Sequence, residues 1–336
     1  MDPSYPRPRL VLSKCLELAA CRYNGVSIRA PLVRRMEEFV ELVPVCPEVE
    51  VGLGTPRDPV RLVRNERERG GAGGEEKTPY LMVQPSTGRD LTGAMTSFTA
   101  TFLDGVEPVD GFLLKSRSPS CGIKDTKIYT NPEEGQAMPV EKGSGLFAAA
   151  VLERFGDRAI EDEGRLTNFR IRHHFLTKLF TLARLREVAA SGAMAALVDF
   201  HASHKLLLMA YHQTAMRAMG RLVANPDKRP FAAVVADYRD ELVRALARPA
   251  KYTAHVNVLM HAMGYFKNGL SAAEKQHFLD ALAEYREGRL PLSAPLTTLQ
   301  SWIARFGEDY LAQQIYFQPY PRPLLELSDS GGSRPG

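Results

Sequence analysis

The two halves of this chain carry different residue chemistry, and that partition limits what it can fold into. All four cysteines lie before residue 122, whereas all eight histidines lie between His173 and His277. Hydrophobic patterning changes between them. Before about Glu163, short β-prone runs alternate with stretches of helical spacing; beyond it, helical repeats take over. A chain of 336 residues also exceeds one ordinary compact core. We therefore read two domains, at residues 1–160 and 161–327, with a disordered tail over 328–336.

The local signals give the architecture. Arg9-Leu10-Val11-Leu12-Ser13 is a β-prone run shortly before Cys15. Residues 34–39 have helical spacing, and 40–45 read as a strand running into Cys46-Pro47, where proline forces a turn. Gly52, Gly54 and Pro56 make the next stretch a loop, and the charged, glycine-rich residues 65–77 read as a mobile surface insertion. Residues 92–102 read as a helix, 111–115 as a buried strand and 116–122 as a loop. Strands alternating with helices imply an α/β N-terminal domain with a parallel, Rossmann-like sheet. Further on, helices are read over 176–189, 193–211, 231–247, 255–265, 272–286 and 296–304, punctuated by Pro226, Pro230, Pro249, Pro291 and Pro295. The C-terminal domain is all-α.

At 44% hydrophobic and 24% charged, the composition is that of a globular protein with sizeable cores. No run approaches the ~18 apolar residues of a membrane span, so no membrane partner is expected. Residues 1–6 lack a charged-then-apolar signal pattern, which leads us to expect a cytoplasmic protein whose thiols are free to bind metal. The net charge of +4 permits a polyanionic partner without requiring one.

Cys15, Cys46 and Cys121 each follow a strand, and ligands of open parallel sheets sit beyond the carboxyl ends of the strands. Three thiolates converging there make a soft-metal site with one open position. The competing reading is three small buried hydrophobes. For Cys21 the structural reading prevails. Glu48 is two residues from Cys46 and is either a proton acceptor or a helix-start carboxylate. The glycines of Gly143-Ser144-Gly145-Leu146-Phe147 open a helix, which can cradle a phosphate or simply make a tight turn. His201 and His204 are three apart on one helix with Lys205 beside them, a pair that could bind metal or phosphate or pack against a neighbour.

The segments around the cysteines resemble the thiouracil desulfidase family. The matching pieces are Lys14-Cys15-Leu16 with Arg22-Tyr23-Asn24-Gly25, Val45-Cys46-Pro47-Glu48-Val49 with Gly54-Thr55-Pro56-Arg57, and Lys115-Ser116-Arg117-Ser118-Pro119-Ser120-Cys121-Gly122. Two departures stand out: Leu16-Glu17-Leu18-Ala19-Ala20 replaces the usual Leu-Leu-Gly turn, and Cys21 stands where fused members often carry an apolar residue. The helical half is similar to the domain fused to such enzymes in the tRNA 4-thiouridine desulfidase group, through Phe200-His201-Ala202-Ser203-His204-Lys205, Asn257-Val258-Leu259, Gly264-Tyr265-Phe266-Lys267 and Gln314-Ile315-Tyr316.

The resemblance implies a [4Fe–4S] cluster held by Cys15, Cys46 and Cys121, with one iron left open for substrate sulfur. It implies a hydrolytic removal of sulfur with no net electron transfer. Glu48 is then the general base or proton shuttle, and Ser118 the hydroxyl that donates or relays a proton. Ser116 and Ser120 could share that role, contact substrate or bond the cluster sulfurs. The expected partner is tRNA containing 4-thiouridine, with no DNA. Tyr252, His255, His261, Tyr265, Phe266 and Lys267 combine aromatics and cations of the kind that stack unpaired bases, although such aromatics also fill cores. Lys205, Arg217, Arg221, Lys251 and Lys267 are candidate phosphate contacts. Two alternatives stay open: desulfidation of free thiouracil or another small thiolated base, and a non-catalytic iron–sulfur or zinc regulatory protein.

Overall fold

The protein is described by a computed structural model over residues 5–65, 79–130 and 138–325. The insertion read over 65–77 (Asn65 apart) and the tail over 328–336 lie outside the described residues. The chain forms two compact units, Arg7–Phe175 and Leu176–Gly336 with Met1–Pro6.

The first unit runs β1 (Arg9–Ser13), α1 (Pro31–Met36), β2 (Glu41–Val45), α2 (Pro47–Glu50), β3 (Arg61–Arg64), β4 (Tyr80–Gln84), β5 (Arg89–Asp90), α3 (Thr92–Gly105), β6 (Gly111–Leu114), β7 (Thr126–Tyr129), β8 (Pro139–Gly143), α4 (Leu146–Phe155) and β9 (Ala159–Asp162). Strands β2, β1, β6 and β9 lie side by side in that order, all parallel. The α/β reading of this half therefore holds. Leu10, Val11 and Leu12 on β1 and Phe112, Leu113 and Leu114 on β6 are all essentially inaccessible. Central parallel strands are covered on both faces, which is why these runs are continuously apolar instead of alternating. From β1 the chain places β2 on one side and β6 on the other, so the order reverses between β1 and β6, where open α/β sheets take their ligands.

Two features depart from the sequence reading. A second, mixed sheet of order β5-β4-β3-β7-β8 packs Leu62, Met82 and Ile128 into the same core as Val11, Phe112 and Phe147. Its strands span only two to five residues each, too short for a period of two to register. Helix α1 begins at Pro31 and ends at Met36, earlier than 34–39. Proline is at ease in a first helical turn, where its missing N–H costs nothing.

The second unit is helical. It holds the part of α5 (Phe169–Ser191) from Leu176 onward, then α6 (Met194–Tyr211), α7 (Gln213–Ala224), α8 (Phe231–Ala245), α9 (Tyr252–Met263), α10 (Ala272–Arg286), α11 (Ser293–Phe306) and α12 (Asp309–Ala312). Helix α6 serves two cores at once. Leu206, Leu207 and Ala210 pack with Val258, Phe278 and Trp302, whereas Leu197, Phe200 and Leu208 pack with Met219, Tyr238 and Leu242. Burial on two sides explains the unbroken apolar run over residues 206–210 at its end. Helix α7 has no proline before it and was not read from the sequence. His212 caps it, its side chain accepting from Ala215 N, and Asn225 ends it in the left-handed region at φ 39°. Helix α10 opens on a reciprocal Ser271–Glu274 capping box. Among the described residues no helix is long and apolar enough to cross a membrane.

Candidate metal centre

Sheet register brings the cysteines together. Ser13 at the end of β1 pairs with Val45 at the end of β2, and Lys14 N continues the ladder to Val45 O at 2.8 Å. Cys15 and Cys46 thus leave neighbouring strands at one level. Cys121 follows β6, which flanks β1 on its other side, and Lys115 N at that strand's end donates to Ser13 Oγ at 2.9 Å. Three cysteines spread over more than a hundred residues therefore share one sheet edge.

The turn after Cys15 does without the glycine of the family pattern. Glu17 takes the left-handed conformation at φ 67°, which costs a residue with a side chain about 1–2 kcal/mol. Its carboxylate offsets this: Oε1 accepts from Ala30 N at 2.5 Å and Oε2 from Arg34 at 3.0 Å. Ile28 N then donates to Cys15 O at 2.7 Å, closing the loop that carries Cys21.

All four thiols belong to one group. Burial pushes the Cys15 thiol well above the ordinary range, followed by the charges of Cys121, Cys21 and Cys46, with Lys115 opposing them. Burial takes Cys46 up to about 12, against a backbone hydrogen bond from Val49 and with Cys21 and Cys121 adding to the rise. Cys121 is pushed up to about 11, again chiefly by burial, while the hydroxyls of Ser13, Ser120 and Ser118 bond its sulfur and pull the other way. Cys21, read from the sequence as structural, lies beside Cys46, whose S–H donates to Cys21 O at 3.8 Å.

Beside the thiols stands a carboxylate network. Glu48, in the single turn of α2, is buried and accepts from Ser120 Oγ at 2.8 Å and, more distantly, Ser118 Oγ at 3.4 Å, both on Oε1. Ser118 and Ser120 are 3.0 Å apart, and Ser118 Oγ accepts from the backbone N–H of Ser120 and of Cys121. Ser118, Ser120 and Glu48 therefore form a continuous hydroxyl-to-carboxylate chain ending beside Cys121. Oε2 of Glu48 is taken by Arg57, at 2.6 Å from Nη2, and the two side chains are only 12% and 6% exposed. Ser116 is not part of this chain. Its hydroxyl and its N–H donate to Glu163, which also binds Lys115 Nζ at 2.5 Å.

Arg57, Ser13, Lys115 and Glu163 were not singled out as site residues. Arg57 and Lys115 do lie within the family-like segments, which is the signal that could have found them. Ser13 and Glu163 carry no such mark, because only the fold brings them here.

The glycine-rich start of α4 is a packing device. A Cβ on Gly145 would lie 2.4 Å from Ser120 O and 2.7 Å from Pro119 O. Gly145 N donates to Gly122 O, Leu146 N to Pro119 O and Ala148 N to Ser120 O, so the first turn is occupied by the Cys121 loop in place of a phosphate. The histidine pair is likewise engaged. His204 is buried, stacks on Phe200 and hydrogen-bonds Phe200 O through Nδ1, while His201 Nδ1 meets Tyr238 OH at 3.0 Å. Of the candidate surface aromatics, His255 and Phe266 are buried in the core, whereas His261, Tyr265 and Lys267 are exposed. Tyr265 stacks on Tyr310 with ring centroids 5.4 Å apart. Lys205, Arg217, Arg221 and Lys251 are exposed as well.

The donor set at the sheet edge is thiol sulfur throughout, which selects soft or iron–sulfur groups over hard cations. Among the described residues no three His, Cys, Asp or Glu side chains close on the position of a single metal ion. The mutual influence of the four thiols shows that they are nonetheless neighbours. Neighbouring thiols are the donor chemistry that an iron–sulfur group takes.

Comparison with known proteins finds a separate family match in each half of the chain. Residues 10–163 match the family model described as 2-thiouracil desulfurase, and residues 205–321 match a protein family of unknown function, DUF1722. The uncharacterized protein YbgA of Escherichia coli (strain K12) is 33% identical over 158 residues, 46% of this chain and 93% of that protein. The uncharacterized protein YbbK of Bacillus subtilis (strain 168) is 29% identical over 155 residues, 46% of this chain and 95% of that protein. A solved structure described as the [4Fe-4S]-dependent thiouracil desulfidase TudS is 29% identical, covering 48% of this chain and 93% of that one, with a TM-score of 0.33. The chain belongs to the family of YbgA, and it joins a 2-thiouracil desulfurase family region to a DUF1722 region in one polypeptide.

Proposed function

We propose that this protein is a desulfidase that hydrolyses the C–S bond of a thiolated pyrimidine, and that its substrate is 4-thiouridine in tRNA. The observation that carries the chemistry is the Ser118–Ser120–Glu48 chain ending beside a group of buried thiols. The net reaction exchanges a thiocarbonyl and water for a carbonyl and hydrogen sulfide, with no electrons gained or lost.

Cys15, Cys46 and Cys121 would hold a [4Fe–4S] cluster. Bound there, it supplies a soft Lewis acid for the substrate's sulfur. Glu48 accepts a proton from the attacking water at Oε1, the oxygen that Arg57 leaves free. Ser120 and Ser118 pass protons between that carboxylate and the sulfur that departs. Lys115 places a positive charge near Cys15 and favours its thiolate. A purely regulatory iron–sulfur or zinc protein would have no use for the carboxylate chain.

The RNA substrate rests on the second unit. Its exposed Lys205, Arg217, Arg221, Lys251 and Lys267 suit phosphates, and the exposed Tyr265 stacked on Tyr310 suits an unpaired base. A thiolated base in folded RNA must be turned outwards, which costs a few kcal/mol. Backbone contacts elsewhere offset that cost. The second reading, a free thiobase as substrate, is favoured by the desulfurase match ending at residue 163, before the helical unit begins.

Anaerobic purification with iron and sulfide analysis, followed by incubation with thiolated tRNA or free thiouracil, tests both. Sulfide released from tRNA, with turnover falling steeply as salt rises, is the expected result. Turnover of the free base alone would replace the tRNA reading with the second one. Absence of bound iron would overturn the desulfidase.

A further inference from the structure

Cys21 lies outside the three-cysteine set, yet it is held in place like a ligand. The chain doubles back after Cys15, with Ala19 N donating to Lys14 O and Cys21 N to Ala19 O, both at 2.9 Å. The Cys21 carbonyl is gripped from two sides, by Arg57 Nη1 at 3.0 Å and by the Cys46 thiol at 3.8 Å. Cys21 itself is only 8% exposed, and the Cys46 sulfur lies directly against it. Arg57 thereby ties Cys21 to the same guanidinium that positions Glu48.

A [4Fe–4S] cluster takes one terminal ligand at each iron, and three thiolates leave one iron bare. A buried thiol within reach of that iron would be a better donor for it than water, since iron–sulfur iron prefers soft ligands. We propose that Cys21 is a fourth, displaceable thiolate of the centre, capping the iron that Cys15, Cys46 and Cys121 leave open until substrate sulfur replaces it. This rests on the three-cysteine cluster of the proposed function. The exchange balances as one sulfur ligand for another: Cys21 releases its proton on binding, takes one up on leaving, and no electron moves.

The full-length protein and its Cys21→Ala and Cys21→Ser variants should be loaded anaerobically and oxidised mildly with ferricyanide. Iron content and electron paramagnetic resonance are then read before and after. Oxidation expels an iron that has no protein ligand and leaves a paramagnetic [3Fe–4S] cluster. We expect the parent protein to keep about four irons per chain, with Cys21→Ala falling to about three and showing that signal. Cys21→Ser should lie between, because a hydroxyl is a poorer ligand for iron–sulfur iron. Equal loss from parent and variants that had loaded fully would overturn the fourth ligand and leave the three-cysteine reading standing. A Cys21→Ala protein that cannot load would show an obligatory ligand and overturn displacement. A parent protein that binds no cluster would overturn both.

Discussion

Arg57 donates to one oxygen of Glu48 from two nitrogens, Nε at 3.2 Å and Nη2 at 2.6 Å, and so turns the other oxygen to Ser120 at 2.8 Å. Its remaining nitrogen, Nη1, binds the carbonyls of Cys21 and Gly54. One side chain thus sets both the carboxylate and the loop that carries a thiol.

Removing Arg57 leaves a buried carboxylate without its partner. Arg57→Met should cost about 3–5 kcal/mol in chemical denaturation of the metal-free protein, the range for breaking one side of a buried pair. Adding Glu48→Gln should recover much of that loss. A single variant within about 0.5 kcal/mol of the parent would mean that the pair is not structurally important.

Glu48→Gln by itself tests the chemistry. Gln keeps the shape and still accepts a hydrogen bond from Ser120 but cannot take up a proton. Sulfide release should fall about 10²–10⁴-fold, the usual contribution of a general base, with iron content unchanged. Parallel losses of iron and rate would make Glu48 a support for the cluster instead.

Gly145 has no room for a side chain against the Ser120 carbonyl. Gly145→Ala should push the Cys121 loop off the start of α4 at a cost of about 1–3 kcal/mol, with a fall in bound iron. Gly54→Ala serves as the control, since nothing lies within 4 Å of its Cβ position. Normal loading of Gly145→Ala would show that the loop tolerates the shift.

The raised thiols give opposite pH responses to folding and to loading. Cys46 and Cys121 are neutral in the folded metal-free protein up to about 12 and 11, whereas in the unfolded chain they ionise near the ordinary thiol value. The unfolded state therefore releases protons first as pH rises. Stability from these groups is fully present below about pH 8.5 and is lost progressively through about pH 11–12. Cluster loading requires thiolates and releases those protons, so it should strengthen over the same interval. Thermal melts of the metal-free protein and anaerobic iron titrations, both across pH 7–10, check the two slopes, and a flat melting profile would contradict the burial described here.

Much of the fold was legible because it is local. The apolar runs of β1 and β6 and the proline after Cys46 act through residues close in sequence. Strand ends could be read, and so could the placement of Cys15, Cys46 and Cys121 beyond them. Helix α7 and the second sheet escaped, one for want of a breaker before it and the other because its strands are too short to show a period.

By itself the sequence determined a cysteine-bearing α/β half and a helical half, since composition and hydrophobic period reflect which faces must be buried. Only the tertiary structure decided which side chains meet. The sheet order β2-β1-β6 puts Cys15 between Cys46 and Cys121, and the return of the chain after Cys15 brings in Cys21. Arg57 reaches Glu48 across a loop, and Ser120 reaches it from 72 residues away. Such contacts depend on strand pairing and loop closure over long separations, and neither leaves a periodic mark in the chain.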